Sequence, residues 1–153
     1  MVSRWKRVVS GLALLVALVG GQAALAEDLT GILVVEIAGL KDATGDVYIA
    51  VYDSDATWLG DEPVLQKKVP IVEGLDGDLV RTELHLPLGE YAMSAFHDKN
   101  GNGEMDTNFI GMPREPIAIS NNAQGQFGPP AYEDARFSLG AEPLIQRIDM
   151  RDL

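Results

Sequence analysis

The chain has 153 residues, enough for one compact domain, and no cysteine, so neither a disulfide nor a thiolate can be part of its design. Its 23 acidic residues outweigh 12 basic ones, for a net charge of −11. That balance argues against nucleic acid and anionic membrane surfaces as partners and fits a soluble protein, including one whose carboxylates meet a cation.

The first 26 residues read as a secretory signal. Arg4, Lys6 and Arg7 open it, an apolar run from Val8 to Val19 follows, and "AALAED" places small residues at Ala24 and Ala26 for cleavage before Glu27. The apolar run is short for a membrane span of about 20 residues. Removing three basic residues takes the net charge from −11 to −14. The expectation is an exported bacterial protein, periplasmic or secreted, with residues 27–153 as one domain. No second long apolar segment follows, so no membrane span is expected after cleavage.

Strand signals dominate the mature chain. "TGILVVEIAGL" is apolar and β-branched, and Lys41 to Gly45 after it reads as a turn. "GDVYIAVYD" alternates Val47, Ile49 and Val51 against Tyr48, Ala50 and Tyr52. "DSDATWLGDEP" is a loop rich in breakers. "VLQKKVPIVEGL" holds a short strand, with Pro70 marking an edge. In "DLVRTELHLPLGEYAMSAFHD", Val80, Thr82, Leu84 and Leu86 alternate with Arg81, Glu83 and His85. "PLGE" turns, and Tyr91 to Phe96 run back. After Gly111 comes a long aperiodic segment, in which "PPAYEDARF" predicts one helical turn. "RFSLG" and "PLIQRIDM" read as a final strand pair.

Six or seven short strands, with turns spaced roughly 8–12 residues apart, predict an all-β fold: a single antiparallel sandwich, Ig-like or transthyretin-like, with one long ordered loop. Loops this long inside a compact domain tend to be functional.

The chemistry concentrates in "FHDKNGNGEMDTNFIG". Counted from Asp98, the side chains at positions 1, 3, 5 and 9 are Asp98, Asn100, Asn102 and Asp106, with Gly103 at position 6. This is the front of a calcium-loop pattern, in which alternate oxygens converge on a hard cation and the glycine allows the bend. The carbonyl of Glu104 would supply position 7. Position 12 holds Phe109 instead of a bidentate glutamate, and a strand leads in, so an EF-hand is excluded. Another segment would have to complete the sphere, and Asn108, Glu115, Asn121 and Asn122 are the oxygen-bearing candidates. With only Asp98 and Asp106 charged, a calcium affinity of about 10⁻⁴–10⁻³ M is expected. The competing reading needs no metal. "NGNG" is a strong hairpin-turn signal, and Asp and Asn cap their own turns. His97 beside the loop fits a structural hydrogen-bonder, and His85 fits the sheet surface. Trp58, Phe109, Phe127 and Tyr132 sit in or near loops, and are expected to plug the core beneath them.

"FHDKNGNGEMDTNFIGMPREP" together with "SNNAQGQFGPPAYEDARF" resembles the bacterial domain-of-unknown-function family 2141, small exported proteins with the motif H-D-x-N-x-N-G-x-x-D-T-N-x-x-G-x-P-x-E, then S-N-N-A, then G-P-P-x-[FY]-x-x-A-x-F. One departure is visible, "IAIS" standing where the family often has Gly-Phe before Ser-Asn-Asn. The resemblance implies a β-sandwich and export, and no activity. Because the two segments occur together in it, Asn121 or Asn122 is expected to pack on the front loop.

Three functional readings follow. The first is a non-enzymatic β-sandwich module whose loop Ca²⁺ organises, presenting a surface to a protein or glycan of the cell envelope. The second is a metal-free structural or assembly domain. The third is a carboxylate-based hydrolase acting on envelope sugars. The absence of a cysteine nucleophile or a Gly-x-Ser-x-Gly elbow weighs against the last.

Overall fold

The computed structural model describes residues 29–152. The signal-peptide reading of 1–26 therefore lies outside the described residues. The strands are β1 (Thr30–Ala38), β2 (Asp46–Tyr52), β3 (Leu65–Pro70), the two-residue β4 (Leu75–Asp76), β5 (Leu79–Pro87), β6 (Gly89–Asp98), β7 (Ile117–Ile119), β8 (Phe137–Leu139) and β9 (Leu144–Asp149). Two single helical turns, α1 (Ile71–Gly74) and α2 (Tyr132–Ala135), and a 3-10 turn (Ser120–Asn122) complete it.

The strands form two sheets, β4-β5-β1-β9 and β3-β2-β6-β7, with β8 also on β6. The chain is an all-β sandwich, as its alternation predicts. Leu33, Val35 and Ile37 of β1 face Val47, Ile49 and Val51 of β2 across one core, joined by Leu84, Leu86, Met93 and Ile148. Period-2 alternation puts these residues on the inner faces. Pro70 ends β3 at a sheet edge, where its missing N–H breaks no ladder.

Two connections and the strand count differ from the sequence reading. "PLGE" is a corner, not a hairpin: β5 pairs with β1, and β6 with β2 in the other sheet. β8 and β9 do not pair with each other. β8 lies on the start of β6, whereas β9 runs parallel to β1, from Leu33 opposite Leu144 to Ala38 opposite Asp149. Among the described residues the strands also number nine, since β4, β7 and β8 are too short to show a period.

β7 and β8 both run antiparallel along β6, β7 beside Ser94 to Phe96 and β8 beside Gly89 to Tyr91. They are one edge strand interrupted by an excursion over residues 120–136. The interruption would leave Met93, opposite Val51 on its other side, without a ladder partner on this edge. The Ser120 hydroxyl closes it, accepting the Met93 N–H at 2.9 Å and donating to the Ala135 carbonyl at 2.6 Å.

Candidate functional site

The front loop begins where β6 ends. Asp98 is fully buried, and its carboxylate accepts the Gly101 N–H at 2.7 Å and the Gly103 N–H at 2.8 Å. Asn100 Oδ1 accepts the Asn102 N–H at 2.9 Å, and Asn102 Oδ1 accepts the Glu104 N–H at 2.9 Å. These are nested side-chain turns, the habit of Asp and Asn. Gly103 has a φ of +78°, which a side chain would strain, and an added Cβ would lie 3.3 Å from the Tyr48 hydroxyl.

The three polar side chains converge. Asn100 Nδ2 donates to Asp106 Oδ2 at 2.5 Å, and Asn102 Nδ2 to Asp106 Oδ1 at 3.1 Å. Glu115, also buried, closes the loop from the far side, accepting the Lys99 N–H at 3.1 Å and the Asp106 N–H at 3.3 Å. Two buried carboxylates thus each hold two backbone donors, which is how a buried charge escapes its desolvation penalty.

The donor set decides how a cation would fit. Asp98 keeps lone pairs beyond the two it uses. Asp106, however, faces amide N–H groups, and turning the amides to present oxygen would break the two turn bonds that Asn100 and Asn102 make. A cation and this hydrogen-bonded arrangement compete for the same atoms. Among the described residues, no three His, Asp or Glu side chains stand close enough together to hold a metal.

His97 is buried beneath the loop, its Nε2 2.6 Å from the Thr44 carbonyl and 3.8 Å from Asp42 Oδ1. Asp42 accepts both the hydroxyl and the N–H of Thr44, which hold its carboxyl below the ordinary pKa of an aspartate. The β1–β2 connection is thereby clasped to the loop entrance. Nothing in the spacing of residues 41–45 signals this, because the partner, His97, is remote in sequence.

Asn121 and Asn122 do not pack on the front loop, which corrects the expectation drawn from the motif. Asn121 exchanges hydrogen bonds with the Gln146 side chain and donates to the Asp134 and Arg136 carbonyls. Asn122 donates to the Arg147 carbonyl and accepts the Asp149 N–H at 2.8 Å. Both are left-handed, with φ of 59° and 51°, a conformation that asparagine tolerates better than most residues. The pair stitches the outer edge of β9 to the excursion. The segment that folds back on the front loop is the one bearing Glu115.

Beyond Asp106 the chain forms a knuckle. Thr107 bridges to Pro113, Asn108 N–H donates to the Met112 carbonyl at 2.8 Å, and Gly111 N–H to the Asn108 carbonyl at 3.0 Å. Asn108 Oδ1 accepts the N–H groups of Ile110 and Met112, both at 3.0 Å. This fixed turn holds Phe109 98% and Ile110 64% exposed, flanked by exposed Met105 and Met112. Trp58 and Tyr132 do plug a satellite core with Tyr52, Trp58 donating to the Pro130 carbonyl. Phe109 and Phe127 do not, Phe127 being as exposed as its type can be.

Two surface clefts, of about 230 and 520 Å³, lie elsewhere. Neither is lined by His97, Asp98, Asp106 or Glu115.

The family model described as an uncharacterized protein conserved in bacteria, DUF2141, matches residues 35–146, and the chain belongs to that family. The match spans the loop, the knuckle and the asparagine seam. No curated protein and no solved structure matches the chain.

Proposed function

We propose that this protein is an exported, non-enzymatic module that presents the knuckle at Phe109 and Ile110 to a protein partner in the cell envelope. The observation that supports this reading is the conjunction of near-complete exposure with a turn fixed by four hydrogen bonds. Burying one such side chain in a partner is worth about 1.5–3 kcal/mol. Holding it on a set turn removes much of the ordering cost of association. Exposed Met112 in the same turn suits an apolar, adaptable contact. The outermost side chains of the tip, Phe109 and Ile110, are apolar, so a protein pocket fits them better than a glycan. The acidic surface favours a pocket with a basic rim.

A photoreactive residue in place of Phe109, activated in living cells, is expected to yield one discrete adduct. The same residue in place of exposed His85 yields none. Equal labelling from both positions, or none from 109, overturns the reading.

Calcium is a second ligand for the loop, supported by the convergence of Asn100 and Asn102 on Asp106. Because the ion must displace two amide hydrogen bonds, its affinity is expected at the weak end, about 10⁻³ M. Calorimetric titration of wild type against Asp106→Ala tests this. Absence of heat and of any melting shift at millimolar calcium ends the calcium reading and leaves the partner reading intact.

A further inference from the structure

The front loop contains two Asn-Gly pairs, Asn100–Gly101 and Asn102–Gly103, all four residues exposed. Such pairs can react with themselves. The glycine nitrogen, unhindered by a Cβ, gives up its proton and attacks the asparagine side-chain carbonyl carbon. A nitrogen–carbon bond forms and closes a succinimide. The bond from that carbon to Nδ2 breaks, and ammonia leaves carrying a proton. Water then opens the ring to aspartate or isoaspartate. The sum is asparagine plus water giving acid plus ammonia, with no oxidant or reductant.

Here both electrophiles are prepared. The side-chain oxygens of Asn100 and Asn102 each accept a backbone N–H at 2.9 Å, which polarises the carbonyl carbon and steadies charge growing on the oxygen during attack. Both nucleophiles are occupied, and by the same residue. Gly101 N–H and Gly103 N–H are bound to the two oxygens of Asp98, at 2.7 and 2.8 Å. Asp98 has no exposed surface, so water does not weaken its field. A carboxylate beside an amide opposes loss of the amide proton, as any like charge opposes a new one.

We infer that Asn100 and Asn102 are latent self-modification sites and that Asp98 keeps both closed by engaging the two glycine amides. Conversion of either asparagine removes a donor to Asp106 and sets a carboxylate against it. The closure that ties Asn100 and Asn102 to Asp106 is then lost, and Asp98 therefore sets the lifetime of the closed front loop.

The test holds the full chain at mildly alkaline pH as wild type, Asp98→Asn and Asp106→Asn. Peptide mapping by mass spectrometry reads the amide-to-acid change at each asparagine, with Asn121 and Asn122, which no glycine follows, as internal standards. Native wild type is expected to convert at positions 100 and 102 about tenfold more slowly, or slower still, than the same chain in denaturant. Asp98→Asn erases most of that difference at both sites. Asp106→Asn, which removes one of the two acceptor oxygens facing Asn100 and Asn102 but leaves the glycines bound, keeps most of it. Equal rates in native and denatured wild type overturn the inference, as does an Asp106→Asn rate matching that of Asp98→Asn. If melting curves show Asp98→Asn unfolded, hydrogen exchange on wild type decides: Gly101 and Gly103 amides exchange slowly under the inference and at the solvent rate if it is wrong.

Discussion

Asn108 shapes the loop tip through both its backbone and its side chain, since the carboxamide oxygen alone anchors two N–H groups. Asn108→Ala is expected to free the Ile110 and Met112 amides to exchange with solvent while barely moving the melting temperature, because Phe109, Ile110 and Met112 are exposed. Phe109→Ser should change unfolding free energy by less than about 0.5 kcal/mol in urea titration, the usual effect of a surface change. A larger loss would mean that Phe109 packs on the fold and is not held out for a partner. Glu115 is the opposite case. Glu115→Ala strands the Lys99 and Asp106 N–H groups and should cost about 1–3 kcal/mol, measured the same way. The spacing of Asp98, Asn100, Asn102 and Asp106 was legible as one loop with two readings, a cation site and a self-capping turn. The choice between them was not legible, because Asn-Gly turn chemistry and cation chemistry ask for the same residues at the same intervals.

At the level of elements, the strands with full alternation, β1, β2, β5 and β6, are readable from the chain because each buries one face for seven residues or more. The partners of β8 and β9 are not, since three to six residues carry a face but no address. The asparagine seam was visible as a motif and misplaced in space, because a motif records co-occurrence and not contact. Its role is testable. Asn121→Gly relieves the positive φ yet loses the bonds, whereas Asn121→Ala loses both, so alanine should be the worse by about 1 kcal/mol in urea. The clasp of the β1–β2 connection should respond to acid. Asp42 has a depressed pKa in the folded chain, so its contribution is present above the ordinary aspartate value of about 3.9 and fades as pH falls through the lower folded value. The Thr44 amide resonance should titrate with that lower midpoint.

For the whole molecule, the first described strand begins at Thr30, just past the proposed cleavage point. The exported protein is expected to start at Glu27, read by intact mass, and the 27–153 chain to fold without the leader. An unprocessed chain in the envelope would sink the export reading. The parallel pairing of Leu33–Ala38 with Leu144–Asp149 has a kinetic corollary. The central strand of one sheet waits for residues from the opposite end of the chain, and closing so long a loop carries its entropy before any contact repays it. Contact order is therefore high, and refolding should fall in the millisecond-to-second range typical of non-local β topologies. A chain cut before Leu144 leaves β1 paired to β5 alone, and is expected to lose the cooperative melting of the full domain.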